Sequence, residues 1–203
     1  MTSDFSSFDA LGIADNLINR LAELGIDKPT PIQEQAIPAL LSGQDLMGLA
    51  QTGTGKTAAY LLPLIQKLSE EKTGKGPRLP RVLVLAPTRE LAHQVSISLR
   101  DFSRGITLRY VTICGGERYN NQISALKKGV DFIVASPGRF EDLQERCVID
   151  LSAIEHVILD EACMWDSKRF LEQLKTFNSK VSTLWVALGH VPIGVNFHES
   201  DFR

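Results

Sequence analysis

The sequence has few cysteines, no long apolar run and no marked excess of charge of either sign. Its three cysteines, Cys114, Cys147 and Cys163, show no CxxC spacing and no clustered histidines, which argues against a zinc site or a disulfide framework and favours reduced thiols in a cytoplasmic protein. No stretch approaches the roughly 18 apolar residues of a membrane span. The polar start, MTSDFSSFDA, is not typical of a secretory signal. The net charge of -2 leaves only a local patch for any polyanion.

What the sequence does contain is short apolar runs that alternate with longer amphipathic segments. This pattern predicts a mostly parallel β-sheet with helices on both faces, an α/β fold. The strand candidates are Asp45–Ala50, Arg81–Ala86, Thr107–Ile113, Asp131–Ala135, Glu155–Leu159 and Ser182–Ala187. The helix candidates include Lys56–Leu68, Glu90–Phe102, Tyr119–Lys128 and Arg169–Phe177.

Polar or glycine-bearing clusters follow directly after almost every predicted strand. In chain order they read AQTGTGKT, PTRELA, CGG, ASPGR and DEAC. The carboxyl ends of parallel strands meet at one edge of a sheet, and open α/β sheets bind their ligands at that edge. We therefore predict a single functional edge that carries all five clusters.

The first cluster has the composition of a phosphate-binding loop. Glycines let backbone N–H groups converge on phosphates, and the amino terminus of the next helix adds a positive field. Lys56 would supply a charge to the outer phosphates, and the Thr57 hydroxyl would ligate Mg²⁺. The usual first glycine is replaced by Ala50, and the alternative is a glycine-rich turn that caps a helix. The residues predicted to bind the nucleotide here are Ala50, Gln51, Thr52, Gly53, Thr54, Gly55, Lys56 and Thr57.

An acidic pair ends a later apolar run. Asp160 follows His156–Leu159 directly, and Glu161 comes next. Asp160 would hold Mg²⁺, through water because this ion keeps much of its hydration shell, and Glu161 would position the attacking water as a base. Alone, such a pair is a common surface turn. With the phosphate loop upstream, we expect Lys56 and Asp160 to meet across neighbouring strands.

Together these motifs resemble the first RecA-like domain of the DEAD-box RNA helicases. The segment 25–33 (GIDKPTPIQ) resembles the Q motif of that family, with Phe8 at the expected upstream spacing, and 50–57 resembles motif I. Further similarity lies in 87–92 (PTRELA), in the glycine pair at 115–116, in 136–139 (SPGR) and in 160–163 (DEAC). The order of the motifs matches the family from Phe8 to about Phe177.

The resemblance implies that ATP and Mg²⁺ are the cofactors. Gln33 would read the adenine edge through its amide, Phe8 would stack on the ring, and Lys28 would lie in the same site. From the residues alone, Phe8 could equally be a hydrophobic staple for the first helix. Gln33 could equally be a helix-start residue after the PTP segment.

The resemblance also implies contacts with the sugar–phosphate backbone of single-stranded or duplex RNA, which would make recognition tolerant of sequence. Arg89 could instead pair with Glu90, and the SPGR segment could be a plain turn that opens a helix. The residues implied to bind RNA are Pro87, Thr88, Arg89, Gly115, Gly116, Ser136, Pro137, Gly138 and Arg139.

Two departures from the family pattern fall on groups that the family uses together. Cys163 stands where the family has the last aspartate of its Asp-Glu-Ala-Asp motif. The last predicted strand is followed by 187–190 (ALGH), without the hydroxyls of the family's Ser-Ala-Thr motif. We expect weaker coupling between nucleotide state and strand separation. The alternative is that His190 or Thr183 substitutes for those hydroxyls.

These observations predict one domain over residues 1–203, with residues 1–35 as the segment that carries Phe8 and the Q motif. The chain ends near the end of the family's first domain, so a second RecA-like domain and its arginine finger are expected to be missing. We expect this chain alone to bind ATP, to hydrolyse it very slowly and not to unwind duplexes. The competing hypothesis is a non-catalytic RNA-binding module for which nucleotide is a structural ligand.

Overall fold

A computed structural model describes residues 7–49, 53–71 and 78–161, and the backbone of residues 183–188. The helices are α1 (Asp15–Glu23), α2 (Pro31–Leu41), α3 (Lys56–Glu70), α4 (Arg89–Phe102), α5 (Tyr119–Lys128) and α6 (Pro137–Glu145). The strands are β1 (Leu46–Leu49), β2 (Val82–Leu85), β3 (Tyr110–Ile113), β4 (Phe132–Ala135), β5 (His156–Leu159) and β6 (Thr183–Leu188).

The predicted strands are all found, although β3 begins three residues later than its predicted start at Thr107. The backbone turns before β3, because the N–H of Leu108 bonds to the carbonyl of Ile106. Three further helices, α1, α2 and α6, complete the domain. The predicted helix Arg169–Phe177 lies outside the described residues.

All the strand pairings are parallel, in the order β1-β6-β5-β2-β4-β3. The predicted α/β fold with a parallel sheet is therefore confirmed. One expectation is wrong in detail: β6 lies between β1 and β5, so the phosphate loop and the acidic pair do not follow neighbouring strands. Strand order depends on long-range pairing, which local hydrophobic patterns do not encode.

Helices cover both faces of the sheet. Along β2, Val82 and Val84 pack in the core beneath α1–α4, whereas Leu83 and Leu85 pack in the second core, which includes residues of α5 and α6. Every residue of β2 is buried, as expected for a central parallel strand covered on both sides. No helix within the described part of the chain is long and apolar enough to cross a bilayer.

This topology places helix starts at one edge of the sheet. Thr88 is the N-cap residue of α4, and its side chain accepts a hydrogen bond from the N–H of Leu91 at 3.2 Å. Gly55 and Ser136 are the N-cap residues of α3 and α6. Three helix amino termini, each with a partial positive charge, thus follow the carboxyl ends of parallel strands.

Candidate functional site

The phosphate loop ends at a residue that must be glycine. Gly55 has a φ of +91°, and a Cβ at this position would lie 2.4 Å from Nε2 of Gln33. An L-residue would therefore be strained and would also displace Gln33. Helix α3 begins at the next residue, Lys56, so its first N–H groups face the loop. Ala50, Gln51 and Thr52 lie outside the described residues.

Lys56 reaches across the sheet edge to the acidic pair. Its Nζ lies 3.0 Å from Oε1 of Glu161, and the two residues are only 5% and 9% exposed. Glu161 has a φ of +50°, a left-handed conformation that is uncommon for a residue with a side chain and often occurs at functional sites. The structure thus brings together the lysine and the acid that the sequence predicts to act on one triphosphate.

Asp160 is also buried, at 6% exposure, and its Oδ2 accepts a hydrogen bond from the hydroxyl of Tyr60 at 3.1 Å. Burial raises the pKa of the Asp160 carboxyl, and the nearby charge of Glu161 adds to this effect. The Tyr60 hydrogen bond and the charge of Lys56 oppose it. The structure therefore places two acids and one lysine close enough to influence one another.

The oxygens gathered here suit a hard divalent cation. The Thr57 hydroxyl and the Asp160 carboxylate belong to residues that line one cleft, and oxygen donors are the ligands that Mg²⁺ prefers. The described residues show no group of three or more histidine, cysteine or acidic side chains that could enclose a metal.

Gln33 connects the start of α2 to the phosphate loop. Its Oε1 accepts from the N–H of Thr30 at 2.9 Å, and its Nε2 donates to the carbonyl of Gly55 at 3.1 Å. The first contact is the helix-start role that the sequence left open. Because a primary amide has two N–H groups and two acceptor lone pairs, both contacts together still leave Gln33 one donor and one acceptor position.

Phe8 and Lys28 lie apart from Gln33 and the phosphate loop, because neither lines the same cleft. Phe8 is 3% exposed and packs in the core cluster beneath α1–α4. The carbonyl of Phe8 accepts hydrogen bonds from Leu11 and Ile13, which form the turn before α1. This placement agrees with the alternative that Phe8 anchors the first helix. Lys28 is exposed.

Five of the predicted nucleotide residues, together with Asp160 and Glu161, line one cleft of about 720 Å³, whereas Phe8, Lys28 and Thr54 are not among its lining residues. On its polar side the cleft is lined by Gln33, Gly53, Gly55, Lys56, Thr57, Asp160 and Glu161. Its apolar side includes Ile26, Leu91, Val95 and Phe102. A cleft of this size, apolar with a few converging polar groups, is typical of a small-molecule site.

Arg89 lies over the glycine pair that the sequence assigns to RNA. Its Nη1 donates to the carbonyl of Gly115 at 3.3 Å, and a Cβ on Gly116 would lie 2.3 Å from that nitrogen. Gly116 has a φ of +83°, and this left-handed backbone conformation favours glycine, whereas the exposed end of Arg89 could move aside. Arg89 also lies 3.6 Å from Glu90, the alternative partner. Both side chains are more than half exposed, and such pairs are weak.

Arg139 is held by two residues that the motifs do not include. Its Nη1 donates to Oε1 of Gln122 at 3.2 Å, and its guanidinium lies 5.1 Å from the ring centre of Tyr119. Gln122 is 2% exposed and also donates to the carbonyl of Cys114 at 2.9 Å. In the sequence, Gln122 could have been noticed as a polar residue on the face of α5 that is expected to pack against the sheet.

Ser136, Pro137 and Gly138 form the start of α6. Ser136 is 8% exposed and occupies the N-cap position without a capping hydrogen bond from its side chain, and Pro137 is the first residue of the helix, a favoured place for proline. The segment is thus a turn that opens a helix, which agrees with the alternative to an RNA-binding role. It also places the amino terminus of that helix at the functional edge of the sheet. Pro87 and Thr88 lead into α4 in the same way.

The two departures from the family pattern are not structurally described. Cys163, Gly189 and His190 lie outside the described residues. For Ala187 and Leu188 the structure describes the backbone, which pairs with Gly48 and Leu49 of β1. The predicted loss of coupling therefore stays a prediction.

Comparison with known proteins gives one consistent family. The DEAD/DEAH box helicase model matches residues 30–189. "ATP-dependent RNA helicase DeaD" of Escherichia coli (strain K12) is 42% identical over 179 residues, which are 87% of this chain and 27% of that protein. The protein of the same name from Klebsiella pneumoniae is 41% identical, with the same coverage. The chain thus spans about a quarter of the length of these curated relatives.

Solved structures agree in fold. A DEAD box protein from Methanococcus jannaschii superposes with a TM-score of 0.79 at 30% identity, over 93% of this chain and 51% of that one. The RNA helicase Prp28 from Chaetomium thermophilum, solved with ADP, superposes with a TM-score of 0.81 at 38% identity, over 92% of this chain and 46% of that one.

Proposed function

Because the chain belongs to the DEAD/DEAH box helicase family, we propose that it is a RecA-like domain that binds Mg²⁺–ATP in the cleft beside Lys56 and carries RNA on the same sheet edge. The observation that supports this most is the buried contact between Lys56 and Glu161 at 3.0 Å, with Asp160 next to it. Burying a lysine and two acids together costs desolvation free energy. Such clusters occur most often at functional sites.

Each polar group of the cleft has a separate task in this proposal. The Lys56 ammonium attracts the outer phosphates, which would compete with Glu161 for it. Thr57 and Asp160 would hold magnesium, and a bound divalent cation would neutralise the charge on the phosphates. Glu161 would accept the proton of the attacking water, since a carboxylate is an acceptor when ionised.

Adenine selection is assigned to Gln33. The donor and acceptor positions that its two structural contacts leave match the N6 amino group and the N7 acceptor of adenine. Guanine presents an acceptor where adenine presents the amino group, so one of the two bonds would be lost. Phe8 enters this proposal as a core residue that supports the segment, because its ring is buried.

RNA would bind through its backbone across the starts of α4 and α6. Thr88, Ser136 and Gly138 offer a hydroxyl or N–H groups at helix amino termini, where phosphates bind readily. Arg89 and Arg139 add positive charge. This arrangement contains no aromatic platform for bases among the described motif residues, which favours binding that tolerates different sequences.

The relatives' activity would require more than this domain. An arginine finger supplied by another domain or protein is worth about 10³–10⁵ in rate in phosphoryl-transfer enzymes. We therefore propose that the chain alone hydrolyses ATP very slowly and does not unwind duplexes, and that a second RecA-like domain is needed for full activity. Fast turnover stimulated by RNA in a purified sample would contradict this.

The second candidate is a non-catalytic RNA-binding module. Cys163 and the 187–190 segment favour it, because the family's coupling groups are absent at both positions. The two candidates differ in turnover. The catalytic reading predicts slow hydrolysis that rises when Cys163→Asp is combined with a restored Ser-Ala-Thr motif. The non-catalytic reading predicts none in either protein.

Nucleotide binding is tested by thermal unfolding with ATP and Mg²⁺. At about 100 times its Kd, ATP should add roughly 2.7 kcal/mol to the stability of the chain. Lys56→Ala should remove that gain. Lys127→Ala, which removes an exposed lysine of α5, should keep it. A gain that survives Lys56→Ala would contradict the proposed site.

A further inference from the structure

Tyr60 is a buried tyrosine whose hydroxyl points at the acidic pair. It lies on α3, one turn after Lys56, and is completely buried. Its hydroxyl donates to Oδ2 of Asp160 across a distance of 3.1 Å. A residue of α3 and a residue 100 positions later in the chain are thus joined inside the core.

The same phenol also meets the start of α3. Burial raises the pKa of the Tyr60 hydroxyl, the charge of Asp160 adds to this effect, and the side chain of Thr57, three residues earlier on the same helix, opposes it. Tyr60 thus bonds to Asp160 and lies about one turn from Thr57, and these are the two residues that the sequence predicts to ligate magnesium.

Packing alone does not explain the hydroxyl. The ring fills the core with neighbours on α3 such as Leu61 and Leu64, and phenylalanine would fill nearly the same volume. A phenol hydroxyl buried away from water costs free energy unless it is bonded. Here the phenol donates to Asp160, one of the proposed magnesium ligands, which gives this polar group a place in the site.

We propose that Tyr60 is a positioning residue that fixes the Asp160 carboxylate in one orientation for a magnesium–nucleotide complex. The inference rests on the proposed function. With Oδ2 bonded to Tyr60, the Asp160 carboxylate loses rotational freedom, and the direction of its other oxygen is fixed. Ligands held in position lose less entropy when they bind.

The test compares ATP binding in magnesium with ATP binding in EDTA, for the wild type and Tyr60→Phe. The variant removes one oxygen and keeps the ring. We expect Tyr60→Phe to weaken ATP binding roughly 3- to 10-fold in magnesium, the worth of one hydrogen bond, and to leave binding in EDTA unchanged. Tyr110→Phe, a tyrosine of β3 outside the cleft, is the matched control and should change neither value.

A purely structural role would give a different result. The melting temperature of Tyr60→Phe would then fall while the ratio of the two dissociation constants stayed at the wild-type value, and this would overturn the inference while leaving the proposed function standing. If the wild type itself gained no affinity from magnesium, both would be overturned. Mn²⁺ in place of Mg²⁺ gives a second readout, because paramagnetic resonance counts the free ion and should show weaker retention by Tyr60→Phe.

Discussion

Nε2 of Gln33 lies 3.1 Å from the carbonyl oxygen of Gly55, so the start of α2 is tied directly to the end of the phosphate loop. These residues are 22 positions apart in the chain. The contact leaves no room for a side chain on Gly55, whose missing Cβ would fall 2.4 Å from that nitrogen. In our proposal, the residue that recognises adenine is therefore hydrogen-bonded to the loop that binds the phosphates.

Gly55→Ala tests this link. The change imposes both a left-handed backbone, which costs about 1–2 kcal/mol for an L-residue, and a clash with Gln33. Gly105→Ala is the matched control, since Gly105 has a φ of +86° and nothing within 4 Å of its Cβ position. We expect Gly55→Ala to lower the free energy of unfolding by about 1 kcal/mol more than the control. If denaturant titrations showed the same loss of unfolding free energy for Gly55→Ala and Gly105→Ala, the predicted clash with Gln33 would be refuted.

Gln33→Ala should reduce the preference for ATP over GTP, because no amide would remain to match the adenine edge. It should also destabilise the domain by about 1–2 kcal/mol, since it removes the bonds to Thr30 and Gly55. Competition binding and thermal unfolding measure the two effects. Gln35→Ala, an exposed position on the same helix, should leave both unchanged. An unaltered nucleotide preference in Gln33→Ala would refute its role in adenine recognition.

Arg139→Ala should weaken binding of single-stranded RNA about equally for different sequences. The loss of one phosphate contact should lower the slope of log K against log salt by about 0.7. Titrations of two unrelated oligonucleotides at several salt concentrations check both points. Arg104→Ala, an exposed arginine after α4, is the control. A loss confined to one sequence would indicate that Arg139 contacts bases.

His156 should make the domain sensitive to acid. Burial lowers its pKa from 6.5 to about 4, and the charges of Lys67 and Arg81 add to the effect, while Glu155 opposes it. Because the folded pKa lies below the unfolded one, the stabilisation is complete above pH 6.5 and is lost as the pH falls towards 4. The loss should approach about 3 kcal/mol.

Denaturant titrations from pH 7 to pH 4 measure this loss. His156→Val should flatten that part of the profile, because valine suits a buried strand and does not titrate. His93→Gln, which removes a half-exposed imidazole beside Glu117, is the matched histidine variant for comparison. If His156→Val loses stability with acid as steeply as the wild type, other groups carry the pH dependence.

The sequence predicts the phosphate loop and the acidic pair because each is a local motif next to an apolar run. Lys56 and Asp160 are recognisable from a few neighbours, and the rule that ligands bind at the carboxyl ends of parallel strands places them at one edge. The insertion of β6 between β1 and β5 is not predictable in this way, because it depends on pairing between distant segments.

Residues that act through distant partners are also missed. Tyr60 and Gln122 look like ordinary members of amphipathic helices, and their partners Asp160 and Arg139 come from other elements. Phe8, in contrast, is predicted for the site, but the structure does not place it in the cleft. The resemblance to the helicase family implies a stacking role for Phe8, while the structure buries its ring in the core.

The central claim is that the cleft beside Lys56 and Glu161 binds one magnesium–nucleotide complex. Isothermal titration of the chain with ATP in magnesium tests it most directly. The account predicts one molecule bound per chain, with binding lost in Lys56→Ala and kept in Lys127→Ala. Equal binding by the wild type and Lys56→Ala, or no binding by the wild type, would contradict it.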